Sequence, residues 1–248
     1  MRLSVAVITK NEVAAIQRCL ESVSWADEVV VVDSGSTDGT AQISTQLGAK
    51  VHVTTDWPGF GPQKNRAVGL ATGDWVLSID ADEWVTPELR TEISSCIANP
   101  GPHAAFRIPR ASSFCGRVMR HSGWWPDPVL RLFARGRARF SDDLVHERLI
   151  VDGAVGALHH ALMHESFTSL EEVVRKMNQY SSAGAQMMAA GGRGGSLASA
   201  VSHGAWTFMR TYFLQAGFLD GREGFMLAVS NAEGVYYRYL KAWLLGKR

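Results

Sequence analysis

The sequence has few cysteines, no long apolar run and no concentration of charge. Its three cysteines, Cys19, Cys96 and Cys115, are far apart and odd in number, which favours reduced thiols and gives no sign of a zinc site. Without an apolar run of about 20 residues, the chain carries no signal for a membrane-spanning helix. The net charge is +1 and no lysine- or arginine-rich arm is present, so nucleic acid is not expected as a partner.

Two further absences narrow the class of protein. A strand-like segment begins at residue 3, so no signal peptide is predicted. The pattern Gly-x-x-x-x-Gly-Lys-Ser/Thr does not occur, which removes the P-loop proteins from consideration. We therefore expect a cytoplasmic protein, one that would meet a membrane only peripherally and from the cytoplasmic side.

Apolar runs that suit strands alternate with helical patterns over the first hundred residues. Strands are predicted at residues 3–8, 28–32, 50–54 and 75–79, and helices around residues 16–23, at 40–47 and 62–71, and from Pro87. This alternation predicts a parallel sheet with helices on both faces. Short strand-like pieces follow at residues 104–109 and 129–133. After residue 166 the pattern is helical, with N-capping residues at 168–172 and a glycine-rich hinge at 191–195.

Two aspartates in the sequence WVLSIDAD carry the clearest chemical signal. Asp80 and Asp82 follow an apolar run of the right length for a buried strand, and ligands of α/β proteins bind outside the carboxyl ends of strands. Magnesium and manganese are usually held by one or two carboxylates together with substrate phosphates. Because alternating positions on an extended tip face opposite ways, we assign a cation to Asp82 and a ribose hydroxyl or metal-bound water to Asp80. An acidic, solvated turn is the alternative.

A second polar turn follows the second predicted strand, with the sequence DSGSTDGT at residues 33–40. Asp33, at the strand tip, is predicted to accept a hydrogen bond from a nucleobase or a ribose hydroxyl. Asp38 is expected to cap the next helix. Lys64 opens the helix after the third strand and is predicted to steady a base or a diphosphate, with a solvated surface position as the alternative.

Four motifs occur in order: VAVITKNE at residues 5–12, DSGSTDGT at 33–40, Lys64-Asn65 with Gly73-Asp74, and DADE at 80–83. In order and spacing they resemble the family 2 glycosyltransferases, inverting enzymes that use nucleotide-diphosphate sugars. The resemblance implies the α/β GT-A fold, a doubly wound and mostly parallel sheet with helices on both faces, here with a C-terminal helical extension. It also implies a divalent metal, Mg²⁺ or Mn²⁺, on the donor diphosphate.

The resemblance assigns roles to six positions: Thr9 and Glu12 border the nucleotide, Asp33 reads the base, Lys64 lies near the base, Asp80 faces the ribose, and Asp82 holds the metal. Many relatives carry arginine where this chain has Lys64. A bidentate contact is therefore lost at that position, and base selectivity is open.

Three later motifs resemble a narrower branch: GWWPD at residues 123–127, RLF at 131–133 and VHE at 145–147. They are similar to the branch that contains lipopolysaccharide-core β-glucosyltransferases. This implies UDP-glucose as the first donor to test and a saccharide acceptor that is lipid-linked. We predict a nucleotide-sugar-binding half at residues 1–100, an acceptor-binding and catalytic half at 101–166, and a helical extension at 167–248. A sugar nucleotidyltransferase and a non-catalytic nucleotide-sugar-binding module are the alternatives.

An inverting transfer needs a base that deprotonates the acceptor hydroxyl as it attacks the anomeric carbon. Such a base comes from the acceptor side, where the candidates are Asp127, Asp142, Asp143 and Glu147. We predict Glu147, with Asp142 second, since Asp142 and Asp143 also suit a solvated turn.

Three other residues are candidates for ligand contacts. His164 is a possible second metal ligand, although a core or helix-capping histidine is the commoner role. Trp124 and Trp125 lie in a loop bounded by glycine and proline, and their ring faces suit the C–H surface of an acceptor sugar. Plugging of a core is the alternative for both.

The C-terminal segment mixes aromatic with basic residues: Arg210, Arg222, Arg238, Lys241, Lys247 and Arg248. This mixture favours peripheral contact with an anionic membrane. Packing against the sheet or within a homo-oligomer is the alternative.

Overall fold

A computed structural model describes residues 1–142 and 147–246. The chain divides into two compact units, Met1–Arg110 with Asp127–His164, and Ala111–Pro126 with Glu165–Arg248. Asp143, Lys247 and Arg248, together with residues 145 and 146 of the VHE motif, lie outside the described residues.

The strands are β1 (Leu3–Thr9), β2 (Glu28–Asp33), β3 (Lys50–Val53), β4 (Trp75–Asp80), β5 (Glu83–Val85), β6 (His103–Phe114), β7 (Arg117–Val118), β8 (Asp127–Ala134), β9 (Ala138–Phe140), β10 (Leu149–Val151), β11 (Ala154–Ala157) and β12 (Leu162–Phe167). The helices are α1 (Ile16–Ser22), α2 (Thr40–Gln46), α3 (Phe60–Leu70), α4 (Pro87–Ala98), α5 (Leu170–Ala190), α6 (Leu197–Met209) and α7 (Gly221–Leu245). A π-helical turn (Arg210–Leu214) and a 3₁₀ helix (Gly217–Asp220) connect α6 to α7.

The first unit is built on a mixed sheet in which β3, β2, β1 and β4 lie side by side and parallel. Strand β8 joins β4 in the antiparallel sense, and β6 joins β8 in the same sense. In this register Thr9 lies opposite Asp33, and Ile8 lies opposite Asp80. The carboxyl ends of three neighbouring strands therefore meet at one edge, as the alternation of strands and helices predicts.

Helices cover both faces of the parallel strands, which confirms the prediction. Because side chains alternate along a strand, Val5 and Val7 of β1 pack in one buried cluster, which also contains residues of α1 and α4. Ala6 and Ile8 pack in another cluster, which contains Ala67 of α3. Burial of each large aliphatic side chain contributes about 1.5–3 kcal/mol, so the parallel half is fixed mainly by this layered core.

The antiparallel pair β9–β10 is fastened to α3 through Asn65. The Asn65 side chain donates to the Phe140 carbonyl at 2.9 Å and accepts from the Phe140 N–H at 2.8 Å. The Ser141 backbone also approaches α3 closely at Gly61. A Cβ at Gly61 would lie 1.9 Å from the Ser141 carbonyl oxygen, so this approach requires a residue without a side chain. The helix that carries Lys64 and the strand pair that leads to Glu147 are thereby held together.

The second unit is mainly helical. Ser169 caps α5 by accepting from the Glu172 N–H at 3.2 Å, which confirms the predicted helix start. The glycine-rich residues 191–195 separate α5 from α6, which confirms the predicted break between helices, and their role as a hinge stays a prediction. Over the part of the chain that the structure describes, no helix is both long and apolar enough to cross a membrane.

Candidate functional site

The candidate site lies in the first unit, at the edge where β1, β2 and β4 end. Thr9, Asp33 and Asp80 are the last residues of these three strands. The Thr9 hydroxyl is buried and has no hydrogen-bond partner among the described residues. A buried polar group without a partner is unfavourable, so an unpaired hydroxyl at a strand end favours a site that is completed by a ligand or water.

Asp33 is buried and organises its own turn. Its carboxylate accepts from the N–H groups of Gly35 at 3.0 Å and Ser36 at 2.8 Å, and also from the Ser36 hydroxyl. The same turn is tied to the loop after β1, because the Glu12 N–H donates to Thr40 Oγ1 at 2.9 Å. Base reading by Asp33 and nucleotide contacts by Thr9 and Glu12 stay predictions.

Lys64 connects the two acidic parts of the site. Its ammonium lies 3.0 Å from an Asp80 carboxylate oxygen and 2.9 Å from Glu147 Oε1. Only 4% of the Lys64 side chain is exposed, so the solvated alternative does not describe this residue. The structure thus brings together Lys64, Asp80 and Glu147, the last of them 83 residues from Lys64 in sequence.

A second set of charges holds Asp80 from its other side. Arg131 Nη2 donates to Asp80 at 2.5 Å and to Glu83 at 2.9 Å, and Arg131 and Glu83 are both buried. Partial burial by itself raises the pKa of Asp80, but the positive charges of Arg131 and Lys64 hold that pKa well below its usual range. Asp80 is therefore ionised at neutral pH.

Glu83 fixes the turn that separates Asp80 from Asp82. One of its oxygens accepts from the Asp80 N–H at 2.9 Å, and the other faces Arg131 and Arg110. Arg110 in turn pairs with Asp127 at 2.7 Å. Glu83, Arg110 and Arg131 were not among the predicted site residues. Glu83 occurs in the DADE motif and Arg131 in the RLF motif, whereas no sequence signal indicated Arg110.

Asp82 lies beside His164. The antiparallel pairing of β5 with β12 places His164 opposite Glu83, next to Asp82 in the chain. As a result His164 Nε2 is 3.4 Å from Asp82 Oδ2. Adjacent ligand atoms around a six-coordinate cation are about 3 Å apart, so one carboxylate and one imidazole at this separation fit a shared Mn²⁺ or Mg²⁺. Within the described ranges, no group of three or more His, Cys, Asp or Glu side chains could hold a metal by itself.

The candidates for the catalytic base differ in their surroundings. Glu147 is partly buried and paired with Lys64, whereas Asp142 is exposed. Asp127, at the start of β8, is paired with Arg110. These positions favour Glu147, but its role as the base stays a prediction.

Trp124 and Trp125 belong to the second unit. The Trp124 ring lies 6.1 Å from those of Phe114 and Phe167, within the core of that unit, and it borders a cavity of about 260 Å³ between α5 and α7. Arg120 lies 4.5 Å from the ring centre of Trp125. An acceptor contact by either tryptophan stays a prediction.

Comparison with known proteins identifies the family. The model of the family named glycosyl transferase family 2 matches residues 4–148, which contain all the site residues described above except His164. The chain belongs to glycosyl transferase family 2. This confirms the resemblance that the four motifs indicated.

Relatives match nearly the whole chain. It is 33% identical over 258 aligned positions to an uncharacterized glycosyltransferase of Rickettsia felis, covering 97% of this chain and 89% of that protein. It is 30% identical over 259 positions to the lipopolysaccharide core biosynthesis glycosyltransferase LpsC of Rhizobium meliloti, covering 97% and 94%.

Solved structures confirm the predicted fold class. The crystal structure of S. aureus TarS residues 1–349 in complex with UDP-GlcNAc matches with a TM-score of 0.51 and 21% identity, covering 67% of this chain and 59% of that one. The α/β fold of this family 2 glycosyltransferase is therefore shared with TarS.

Proposed function

We propose that this glycosyltransferase moves glucose from UDP-glucose, with inversion, to a saccharide acceptor of lipid-linked lipopolysaccharide core. The similarity to LpsC over nearly the whole chain supports the acceptor class. Family membership favours glycosyl transfer over the two alternatives, sugar nucleotidyl transfer and non-catalytic binding of a nucleotide sugar. We further propose that the protein works at the cytoplasmic face of the inner membrane, attached peripherally.

The observation that carries the proposal is the shared contact of Lys64 with Asp80 and Glu147. Asp80 ends the strand that precedes the proposed metal ligand Asp82, and Glu147 is the proposed base. The Lys64 ammonium between these two carboxylates suits a reaction centre that has the nucleotide-sugar donor on the side of Asp80 and the acceptor hydroxyl on the side of Glu147.

The proposed donor contacts use the polar strand ends. Thr9, Glu12 and Asp33 border the nucleotide, Lys64 lies near the nucleobase, and Asp80 binds the ribose. Asp82 and His164 would hold a divalent cation on the diphosphate. Such a cation stabilises the negative charge that develops on the leaving group.

The chemical step is a single displacement. Glu147 accepts the proton of the acceptor hydroxyl while its oxygen forms a bond to the anomeric carbon. The bond from that carbon to the donor phosphate oxygen breaks, and UDP leaves with the electron pair. Attack from the face opposite the leaving group inverts the anomeric configuration. Asp142 is the second candidate for the base, and Trp124 and Trp125 are proposed to stack on the acceptor.

Turnover of a panel of nucleotide sugars tests this proposal. UDP-, GDP- and dTDP-sugars are supplied with Mn²⁺, and release of nucleoside diphosphate is measured with and without core-truncated lipopolysaccharide. We expect acceptor-dependent release of UDP from UDP-glucose. If the enzyme releases no UDP in this assay but consumes UTP and glucose 1-phosphate when these are supplied instead, the result would support nucleotidyl transfer. Binding of UDP-glucose with no turnover for any acceptor would support a binding module.

A further inference from the structure

The connection from α6 to α7 exposes many large apolar side chains. Between residues 206 and 225, seven of them are 48–69% exposed: Trp206, Met209, Phe213, Leu214, Phe218, Leu219 and Phe225. We call these seven residues the apolar tip. Exposed apolar side chains are ordinary when scattered singly, but seven of them within residues 206–225 favour a binding surface.

Aromatic contacts link three residues of the apolar tip: Phe213, Phe218 and Phe225. The Tyr212 ring lies 5.1 Å from Phe213, 5.5 Å from Phe225 and 6.3 Å from Phe218. Phe208 lies within 5.8 Å of Phe225. The rings of Phe213, Phe218 and Phe225 therefore rest on a shared, half-buried pair of aromatic residues, Phe208 and Tyr212.

The backbone beneath the apolar tip is closely packed. A Cβ on Gly224 would lie 1.9 Å from the Gly217 carbonyl oxygen, and one on Gly217 would lie 2.7 Å from that of Thr211. The carboxylate of Asp220 is buried and accepts from the N–H groups of Arg120 at 3.0 Å and His121 at 2.9 Å. The apolar side chains are thus displayed by a fixed turn and not by a frayed helix end.

Exposed cations lie beside the apolar tip. Arg210 and Arg117 are exposed, and Arg117 Nη2 donates to the Leu219 carbonyl at 3.5 Å. The two acids of this segment add little negative charge, because Asp220 is buried and Glu223 forms an ion pair of 2.6 Å with Arg222. Aromatic and aliphatic side chains beside exposed arginines suit the boundary between acyl chains and anionic headgroups.

We propose that the apolar tip inserts into the interface of an anionic bilayer, with Arg210 and Arg117 at the level of the headgroups. A bilayer fits better than a protein partner, because the charge complements anionic lipid and a fluid surface needs no matching shape. This inference gives the peripheral attachment of the proposed function a defined surface. It rests on that function only for the expectation of a lipid-linked acceptor.

Flotation with vesicles of phosphatidylcholine, with and without phosphatidylglycerol, tests the insertion. The full chain is compared with a tip variant and with a control variant that changes exposed apolar residues of α5. The tip variant is Phe213→Ser/Leu214→Ser/Phe218→Ser/Leu219→Ser, and the control is Val174→Ser/Tyr180→Ser/Met187→Ser.

We expect the wild-type chain to float with the anionic vesicles and to bind less as salt rises. The tip variant should partition at least about tenfold more weakly, since it removes several inserted apolar side chains. The control should bind like the wild type. If the tip variant fails to fold by circular dichroism, Phe218→Ser/Leu219→Ser and Arg210→Gln provide smaller steps in the same direction.

Three outcomes would overturn the inference: no flotation, equal losses in the tip and control variants, or binding that is independent of anionic lipid. A dimer that the tip variant abolishes in sedimentation velocity, without flotation, would assign the surface to a second copy of the chain. Because flotation requires no donor or acceptor, its result is separate from that of the turnover assay.

Discussion

Replacement of Arg131 by methionine tests whether buried ion pairs hold the turn at residues 80–83 of the candidate site. Arg131 is 5% exposed and donates to both Asp80 and Glu83. Removal of one partner from a buried pair costs about 3–5 kcal/mol. Arg110 and Lys64 still face these two carboxylates, so we expect Arg131→Met to lower the free energy of unfolding by about 2–4 kcal/mol.

The assay is urea unfolding at neutral pH, read together with UDP affinity. Arg135→Met, an exposed change directly after the same β-strand, is the matched control; it removes one hydrogen bond to the Gly73 carbonyl and should cost about 1 kcal/mol or less. Because the pKa of Asp80 is lowered in the folded state, its stabilisation is present at neutral pH and is lost as the pH falls. The gap between wild type and Arg131→Met should therefore narrow below about pH 4.

The double variant Arg131→Met/Glu83→Gln separates two contributions to the lost stability: the lost attraction between Arg131 and its carboxylates, and the cost of leaving Glu83 buried as an unpaired charge. Neutralising Glu83 should recover part of the stability that the single variant loses, because no buried carboxylate then lacks its main partner. If Arg131→Met unfolds like the wild type and binds UDP equally well, the network neither stabilises the unit nor orients Asp80.

The proposed metal pair, a buried glutamate and a close helix contact each give a further expected outcome. Asp82→Asn should remove the gain in UDP affinity that Mn²⁺ provides in calorimetry, and an unchanged gain would exclude Asp82 as a ligand. Burial raises the pKa of Glu28, but hydrogen bonds from Lys50 and three further donor groups hold that pKa at about 2. Ionised Glu28 therefore stabilises the fold above about pH 4.5, and the stabilisation is lost as the pH falls toward 2. Glu28→Gln should therefore remove up to about 3 kcal/mol at neutral pH in urea unfolding and flatten that pH dependence; a variant with the wild-type pH profile would contradict the assignment. Gly61→Ala should cost about 1–3 kcal/mol in the same assay because its Cβ meets the Ser141 carbonyl, whereas Gly69→Ala, with open space around its Cβ, should not destabilise α3; equal effects would argue against the contact.

The parallel half of the fold was predictable because its signals are local. Buried strands such as β1 and β4 are continuous apolar runs, and each is followed within a few residues by a helical period. The start of α5 was predictable for the same reason, since a serine cap and a glutamate three residues later act within one turn.

The antiparallel half was harder to predict. Strands β9 and β10 have three residues each, too few to establish a period. Strand β9 is fixed by contacts with α3, and β10 by its pairing with β9. Strand β6 was expected to end at Pro109 but continues to Phe114. Pro109 lies opposite Pro128 in the pairing with β8, so the ladder passes through a residue that usually ends a strand.

Asp80, Asp82, Glu147 and Lys64 were predicted as members of the candidate site, whereas Glu83, Arg110 and Arg131 were not. Asp80 and Asp82 follow a strand directly, so their position at the sheet edge is a local property. The burial of Lys64 and the role of Arg131 depend on partners that are 16 to 83 residues away in sequence. No spacing rule reveals such pairs, and an isolated basic residue in a sequence is more often solvated.

The most direct test of glycosyl transfer by this site is the turnover of Glu147→Gln with UDP-glucose and core-truncated lipopolysaccharide. Glutamine keeps the shape of the side chain and can still accept from Lys64, so affinity for UDP and Mn²⁺ should stay near that of the wild type. Turnover should fall by a factor of about 10²–10⁴, as expected when a positioned base is lost. Asp142→Asn, measured in parallel, should transfer nearly as fast as the wild type. Rapid transfer by Glu147→Gln with an inactive Asp142→Asn would contradict the account and assign the base to Asp142.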